Sequence, residues 1–175
     1  DIQNIYGNGT LGMFTISNAS GTLVETGNEL TITDGLNLNG GLLDVGANLL
    51  NLGVDARIIE GKQFDNTNMI RTNSSFTDNG VRKTFPSTAS MGGAYNYTIP
   101  IGSGSKYTPV EYKITTNGNN SGTIITKAAD EPHPSILEDS ETPEIVDVDN
   151  VLQYHWVLKS DAVTGFSADV EMEYD

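Results

Sequence analysis

Residues 29–53, "ELTITDGLNLNGGLLDVGANLLNLG", carry a repeating pattern that indicates the fold of the first half of the chain. This stretch contains no proline and no aromatic residue, and leucine and glycine recur throughout it. Divided into units of six from Leu30, it reads LTITDG, LNLNGG, LLDVGA and NLLNLG, which is an imperfect internal repeat. Apolar residues alternate within a unit, as Leu30 and Ile32 do, and this period of two predicts β-strands.

Two architectures fit the repeat. Asp34-Gly35 and Asn39-Gly40 are dipeptides typical of hairpin turns, which favours a meander. A strand as short as "LNL" is unstable in a meander, whereas in a β-solenoid each short strand pairs with the coils above and below it. We therefore favour the solenoid and expect aliphatic side chains to line its interior. The expected interior residues are Leu30, Ile32, Leu36, Leu38, Leu42, Val45, Leu49 and Leu52.

The composition of the sequence changes near residue 86, where aromatic residues and prolines become frequent and the runs of alternating apolar and polar residues become longer. Segments 107–116 and 121–128 suggest a hairpin around "NGNNSG", and segments 151–160 and 165–175 predict two further strands. The second of these last strands places one set of apolar residues on one face: Phe166, Ala168, Val170, Met172 and Tyr174.

These patterns predict an all-β protein with two parts. A short β-solenoid or β-helix-like repeat region would occupy residues 1–85, and an antiparallel β-sandwich domain would occupy residues 86–175. Because the chain starts at Asp1 and stops on a strand, we interpret it as an internal piece of a longer polypeptide.

Composition excludes several classes of function. The 175 residues carry a formal net charge of -14, which argues against nucleic-acid binding because a phosphate backbone attracts basic surfaces. There is no cysteine, and therefore neither a disulfide nor a thiolate metal site is available. No apolar run approaches the ~18 residues of a membrane-spanning helix, so we expect no membrane insertion.

Three segments carry a resemblance to a known family. They are "VRKTF" (81–85), "YNYTIPIGSGSKYTPVEYKI" (95–114) and "VLQYHWVLKSDAVTGFSADVEMEYD" (151–175). Together with the Leu/Gly/Asn-rich repeat, their order resembles the repetitive secreted and cell-surface, adhesin-like proteins of Bacteroidetes that are cargo of type IX secretion. The elements that correspond to the family pattern are Ile99-Pro100-Ile101-Gly102, with Ile99 in place of the usual phenylalanine, Tyr107-Thr108-Pro109, Tyr154-His155-Trp156, with His155 between the tyrosine and the tryptophan, and Tyr174-Asp175.

The resemblance implies an extracellular or cell-surface location and a structural or adhesive role. Because the matched elements are structural, no catalytic residue is transferred, and we expect no enzyme activity. The expected partners are neighbouring modules or copies of the same protein, assembled as a rod or filament, and also a glycan or the cell surface.

The acidic segment 130–149 raises the question of a bound ion. Clustered carboxylates are ligands that Ca²⁺ prefers, and Glu144, Asp147 and Asp149 are the candidate metal ligands. "DVDN" at 147–150 lacks the glycine and the distal glutamate of an EF-hand loop. We therefore favour a solvated acidic loop without a cofactor over a Ca²⁺ site. A zinc site built from His133 and His155 is disfavoured because the two histidines are distant in sequence.

Aromatic residues in the second half provide the alternative functions. Tyr95, Tyr107 and Trp156 are candidate glycan-binding residues of a carbohydrate-binding module, although alternating aromatics also suit the core of a sandwich. A polysaccharide-processing enzyme is the second alternative, and it requires two carboxylates that converge in a cleft.

Overall fold

The computed structural model describes residues 2–24, 28–73, 79–119, 121–133 and 151–174. Strands make up most of this part of the chain, and the helix within it is the four-residue α1, Thr88–Met91. The predicted all-β class is therefore confirmed. Short alternating apolar runs between glycines suit pleated, half-buried strands and lack the 3.6-residue period of a helix.

Sixteen strands lie in the described residues. In chain order they are β1 (Gln3–Ile5), β2 (Gly9–Ile16), β3 (Thr22–Val24), β4 (Glu29–Leu38), β5 (Leu43–Gly46), β6 (Leu49–Leu52), β7 (Arg57–Glu60), β8 (Ile70–Thr72), β9 (Gly80–Thr84), β10 (Tyr95–Ile99), β11 (Ile101–Ser103), β12 (Lys106–Tyr107), β13 (Val110–Thr116), β14 (Thr123–Ala129), β15 (His155–Asp161) and β16 (Ser167–Met172).

Two parallel ladders dominate the first half of the chain. The first ladder places β1, β3, β5, β8 and β11 side by side, and the second places β2, β4, β6 and β9 side by side. The chain alternates between them and returns to the second ladder after about twenty residues, where Leu30 pairs with Leu50. Parallel neighbours cannot be joined by a two-residue turn, so the hairpin alternative for residues 29–53 is wrong.

The six-residue units do not each end in a turn. Asp34-Gly35 lies inside β4, at the point where the neighbour of β4 changes from β6 to β7. The chain turns instead at Gly40 and Gly41, whose φ angles of 103° and 125° are accessible to glycine at little cost. The chain therefore turns after the first two of the six-residue units, at the end of residues 30–41.

The aliphatic interior follows the sequence pattern at most of the expected positions. Seven of the eight expected residues are buried, and six of these belong to the main hydrophobic cluster, which takes Leu50 rather than Leu49 from the start of β6. The prediction is wrong at Leu42, which is half-buried. The turn at Gly40-Gly41 shifts the alternation, and Leu43 rather than Leu42 is fully buried.

Antiparallel strands follow the ladders. β14 and β15 extend the second ladder beyond β9, β12 ends the first, and β10, β13 and β16 form a separate sheet. The predicted hairpin between segments 107–116 and 121–128 is wrong because β13 and β14 lie in different sheets. Tyr112 of β13 reaches Thr126 of β14 with an Oη–Oγ1 distance of 2.6 Å, so the inner faces of the two sheets face each other.

Pairing continues across the predicted boundary between residues 85 and 86. β8 pairs with β11, and β9 pairs with β14. One hydrophobic cluster contains Leu36 and Val81 together with Tyr112 and Ile114. The division into 1–85 and 86–175 stays a prediction, and the core is continuous across it.

Candidate functional site: the open edges of the sheets

β1 and β2 are the outermost strands of the two ladders, at the end where the chain begins. Within the described residues each of them has a hydrogen-bonded neighbour on one side. Tyr6 and Met13 are 72% and 57% exposed, and Leu11 is exposed as well. Residues 2–24 contain no Asp, Glu, Lys or Arg, in a chain of net charge -14. We call the surface formed by β1 and β2 the uncharged edge.

The interior of the ladders reaches the surface at this edge. A pocket of about 430 Å³ opens between β1 and β2, and Ile5, Phe14 and Ile16 contribute to its lining. Ile16 is buried, whereas Ile5 and Phe14 are half-buried and pack against the main hydrophobic cluster. The uncharged edge therefore exposes both unpaired backbone groups and apolar side chains.

The candidate glycan-binding residues lie in three different strands. Tyr95 is half-buried and stacks on Tyr97, with ring centroids 6.0 Å apart. Tyr107 in β12 is half-buried, and burial, reinforced by nearby carboxylates such as Glu60 and Glu173, raises its pKa to about 12. Among the described ring contacts, none joins any two of Tyr95, Tyr107 and Trp156. The glycan site stays a prediction, and these residues do not form one stacking row.

Trp156 belongs instead to an aromatic cluster beside β16. Its ring contacts Tyr154 edge-on at 5.2 Å and Tyr174 at 6.2 Å, and its Nε1 donates to the carbonyl of Thr108. Tyr154 is buried and hydrogen-bonds through its hydroxyl to Thr108. Burial raises the pKa of Tyr154 to about 12. This edge-on packing is typical of a core and differs from the flat platform that stacks on a sugar ring.

The candidate metal ligands Glu144, Asp147 and Asp149 lie outside the described residues. In the described part of the chain, no group of three or more histidine, aspartate or glutamate side chains is arranged to hold a metal ion. The structure does bring His133 and His155 together, with ring centroids 5.2 Å apart, although they are distant in sequence. The Ca²⁺ site stays a prediction.

The outer face of the three-stranded sheet forms a shallow polar groove of about 650 Å³. Glu111 and Glu171 are cross-strand neighbours in this groove, and the Nζ of Lys113 lies 4.0 Å from the Oδ2 of Asp169. All four side chains are exposed to solvent. A glycosidase pair faces each other across the bond that is cleaved, whereas Glu111 and Glu171 lie side by side on one sheet face, so this pair does not favour the enzyme alternative.

Lys83 is the residue that sequence reasoning missed. It is fully buried in β9, and its ammonium donates to the carbonyls of Gly53, Val54 and Ala56 at 2.5–3.0 Å. The ammonium also lies 4.8 Å from the centre of the Tyr97 ring. Burial lowers the pKa of Lys83 to about 7. The alternation in "VRKTF" already places Lys83 on the same face as Val81 and Phe85, which was the available signal.

Comparison of the chain with known protein families, with curated proteins and with solved structures finds no match. Within the described residues, no helix has the length and apolar character needed to cross a membrane.

Proposed function

We propose that the protein is a structural or adhesive module of a secreted bacterial surface protein. It consists of a short β-solenoid joined to a β-sandwich, and it stacks through the uncharged edge onto a neighbouring module or a copy of itself in a rod or filament. The observation that carries the proposal is that both parallel ladders end on one side in an uncharged strand with exposed apolar side chains, whose outer edge has no neighbour among the described residues.

Charge supports this assignment. Two copies with a net charge of -14 repel each other, and this repulsion weakens where the contacting strands carry no charged residue of their own, with Asp34 of β4 as a carboxylate beside Gly12 of β2. An unpaired strand edge can hydrogen-bond with another edge strand, and burial of Tyr6, Leu11 and Met13 adds a hydrophobic contribution. The uncharged edge is therefore suited to association with itself.

The alternation of strands between two parallel ladders supports the solenoid, and the facing inner surfaces of β13 and β14 support the sandwich. The bacterial origin, the extracellular location and the adhesive role rest on the family resemblance described above. The proposed role needs no catalytic residue.

Sedimentation velocity over a range of protein concentrations tests the proposal. We expect the wild-type chain to associate as concentration rises, and the Leu11→Lys/Met13→Lys variant to remain monomeric because two charges are placed on the uncharged edge. Leu152→Lys is the matched control, since Leu152 is similarly exposed but lies outside this edge. A wild-type chain that stays monomeric throughout, or a double variant that associates like the control, would contradict the proposal.

A further inference from the structure

A second open edge lies between β15 and β16 and has a different character. In the register of the three-stranded sheet, Val170 lies opposite Tyr112, and Met172 lies opposite Val110. Cross-strand neighbours in an antiparallel pair share a face, so Val170 and Met172 point to the inner side, where Tyr112 and Val110 are buried. Nevertheless, Val170 and Met172 are 41% and 43% exposed.

β15 shows the same feature on the facing sheet. Leu158 lies opposite Thr126, and Trp156 lies opposite Ala128. Thr126 and Ala128 are fully buried, whereas Leu158 is 40% exposed and Trp156 is half-buried. On both sheets, therefore, the inner face of the edge strand is partly exposed to solvent, whereas the inner face of the next strand is buried.

The two edge strands carry these side chains on the inner sides of the facing sheets. The Tyr112–Thr126 hydrogen bond sets the sheets face to face, and the contact between Trp156 and Tyr174 joins the two edges at one end. Within the described residues, β15 and β16 each have a hydrogen-bonded neighbour on one side. We call this surface the edge groove; it is lined by Trp156, Leu158, Val170, Met172 and Tyr174.

Charge identifies the kind of partner that fits. The outer face of β16 carries Asp169 and Glu171, and Glu173 follows on the same side. Glu111 lies opposite Glu171, and Lys113 lies near Asp169. An added strand with acidic residues would place like charges opposite one another, as would β16 of a second copy, and such pairs are destabilising. Basic residues at the same positions would make opposite-charge pairs.

We propose that the edge groove binds an extended segment of a partner protein in which apolar residues alternate with lysine or arginine. The segment pairs with the free edge of β16 through its backbone, as in β-strand addition. Its apolar side chains cover Leu158, Val170 and Met172, and its basic side chains lie beside Asp169, Glu171 and Glu173. This interaction is independent of the uncharged edge and of the proposed stacking.

Fluorescence of Trp156, the sole tryptophan of the chain, provides a direct readout because it lies in the edge groove. The probe is a synthetic peptide of about eight residues, the length of an ordinary strand, in which lysine and valine alternate. The controls are a peptide of alternating glutamate and valine and a peptide with the lysines and valines in two blocks. At low salt we expect the alternating lysine–valine peptide to bind at least about tenfold more tightly than either control, because several opposite-charge pairs replace like-charge pairs.

Two variants assign the binding to the edge groove. Val170→Lys/Met172→Lys places charge inside the groove and is expected to abolish binding of the lysine–valine peptide. Asp169→Lys/Glu171→Lys changes the outer face alone and is expected to reverse the preference in favour of the glutamate–valine peptide. All four positions are exposed, and circular dichroism verifies that each variant is folded. The proposal is overturned by equal binding of the three peptides, by no binding of any, or by a preference that neither variant changes.

Discussion

The ladder region and the antiparallel region are packed with different side chains. From β1 to β8 the fully buried apolar residues are aliphatic, as Leu36, Leu38 and Leu50 illustrate, and no described aromatic side chain in this region is buried. From β9 onward the largest buried side chains include Phe85, Tyr112 and Tyr154. In the parallel ladders residues of successive levels stack in register, as Leu30 does on Leu50, so neighbouring levels favour side chains of similar shape.

The two regions also differ in their buried polar groups. Tyr112 hydrogen-bonds to Thr126, Tyr154 to Thr108, and Tyr97 to the carbonyl of Ala56. In the ladder region, by contrast, the buried polar side chains are asparagines and threonines, and Asn48 and Asn68 lie in the turns between strands, where they donate to backbone carbonyls. We therefore expect the stability of the ladder core to depend on side-chain volume and on its corners, and that of the antiparallel core to depend on hydrogen-bond partners as well.

The largest expected effect distinguishes two neighbouring leucines of the ladder region. Leu43→Ala should lower the free energy of unfolding by about 2–5 kcal/mol, because Leu43 is fully buried and its removal leaves a cavity. Leu42→Ala should cost less than about 1.5 kcal/mol, since Leu42 is half-buried. Urea denaturation of both variants measures the difference. Equal losses would mean that the alternation is not shifted at the corner.

The corner itself provides the second test. Gly41→Ala should lower the free energy of unfolding by about 2–3 kcal/mol, because φ is 125° and a Cβ would collide with the backbone carbonyl of Asn18. Gly7 has a φ of 81° but has open space around it, so Gly7→Ala should cost about 1 kcal/mol. Thermal denaturation compares the two. If Gly41→Ala were as stable as Gly7→Ala, the close contact between Gly41 and the carbonyl of Asn18 would not be the reason that the corner requires glycine.

Lys83 lies where the two regions meet, and its ionisation gives a pH test. Its pKa is lowered from 10.5 to about 7, so between these values the unfolded state binds more protons than the folded state. The free energy of unfolding of the wild type relative to Lys83→Met should therefore rise as pH increases from 7 toward 10.5.

Below pH 7, Lys83→Met should still cost about 1–2 kcal/mol, since the carbonyls of Gly53, Val54 and Ala56 lose a donor. Urea denaturation of both proteins at several pH values measures the difference. Tyrosine ionisation affects both proteins alike and cancels in it. A difference that does not change with pH would show that burial does not lower the pKa of Lys83.

The smallest expected effect concerns the hydroxyl pairs of the antiparallel region. Tyr112→Phe should lower the free energy of unfolding by about 1–2 kcal/mol, because the buried hydroxyl of Thr126 loses its partner. Combining it with Thr126→Val should recover part of that loss, since both polar groups are then removed. A double-mutant cycle measures the coupling. Strictly additive losses would show that the coupling energy between the two hydroxyls is zero.

Local pattern predicted some elements and missed others for identifiable reasons. The alternation of Leu30 with Ile32 and of Leu36 with Leu38 was sufficient to predict inward-facing strands. The hairpin between segments 107–116 and 121–128 was mispredicted, because Tyr112 packs across a layer onto Thr126 and no turn dipeptide reports that contact. The open edges could not be predicted, because exposure of Met13 or Val170 depends on which strands lie beside β2 and β16.

The all-β class, the aliphatic inner face of the strands and the uncharged character of residues 2–24 could be predicted from the sequence, because each follows from composition or from a period of two. Only the folded chain shows which strands are neighbours, where the corner falls, that Lys83 is buried against three carbonyls, and that two sheet edges have no neighbour among the described residues. These features depend on pairs of residues far apart in the chain, and such pairs become neighbours only when the backbone hydrogen bonds of the ladders and sheets have formed.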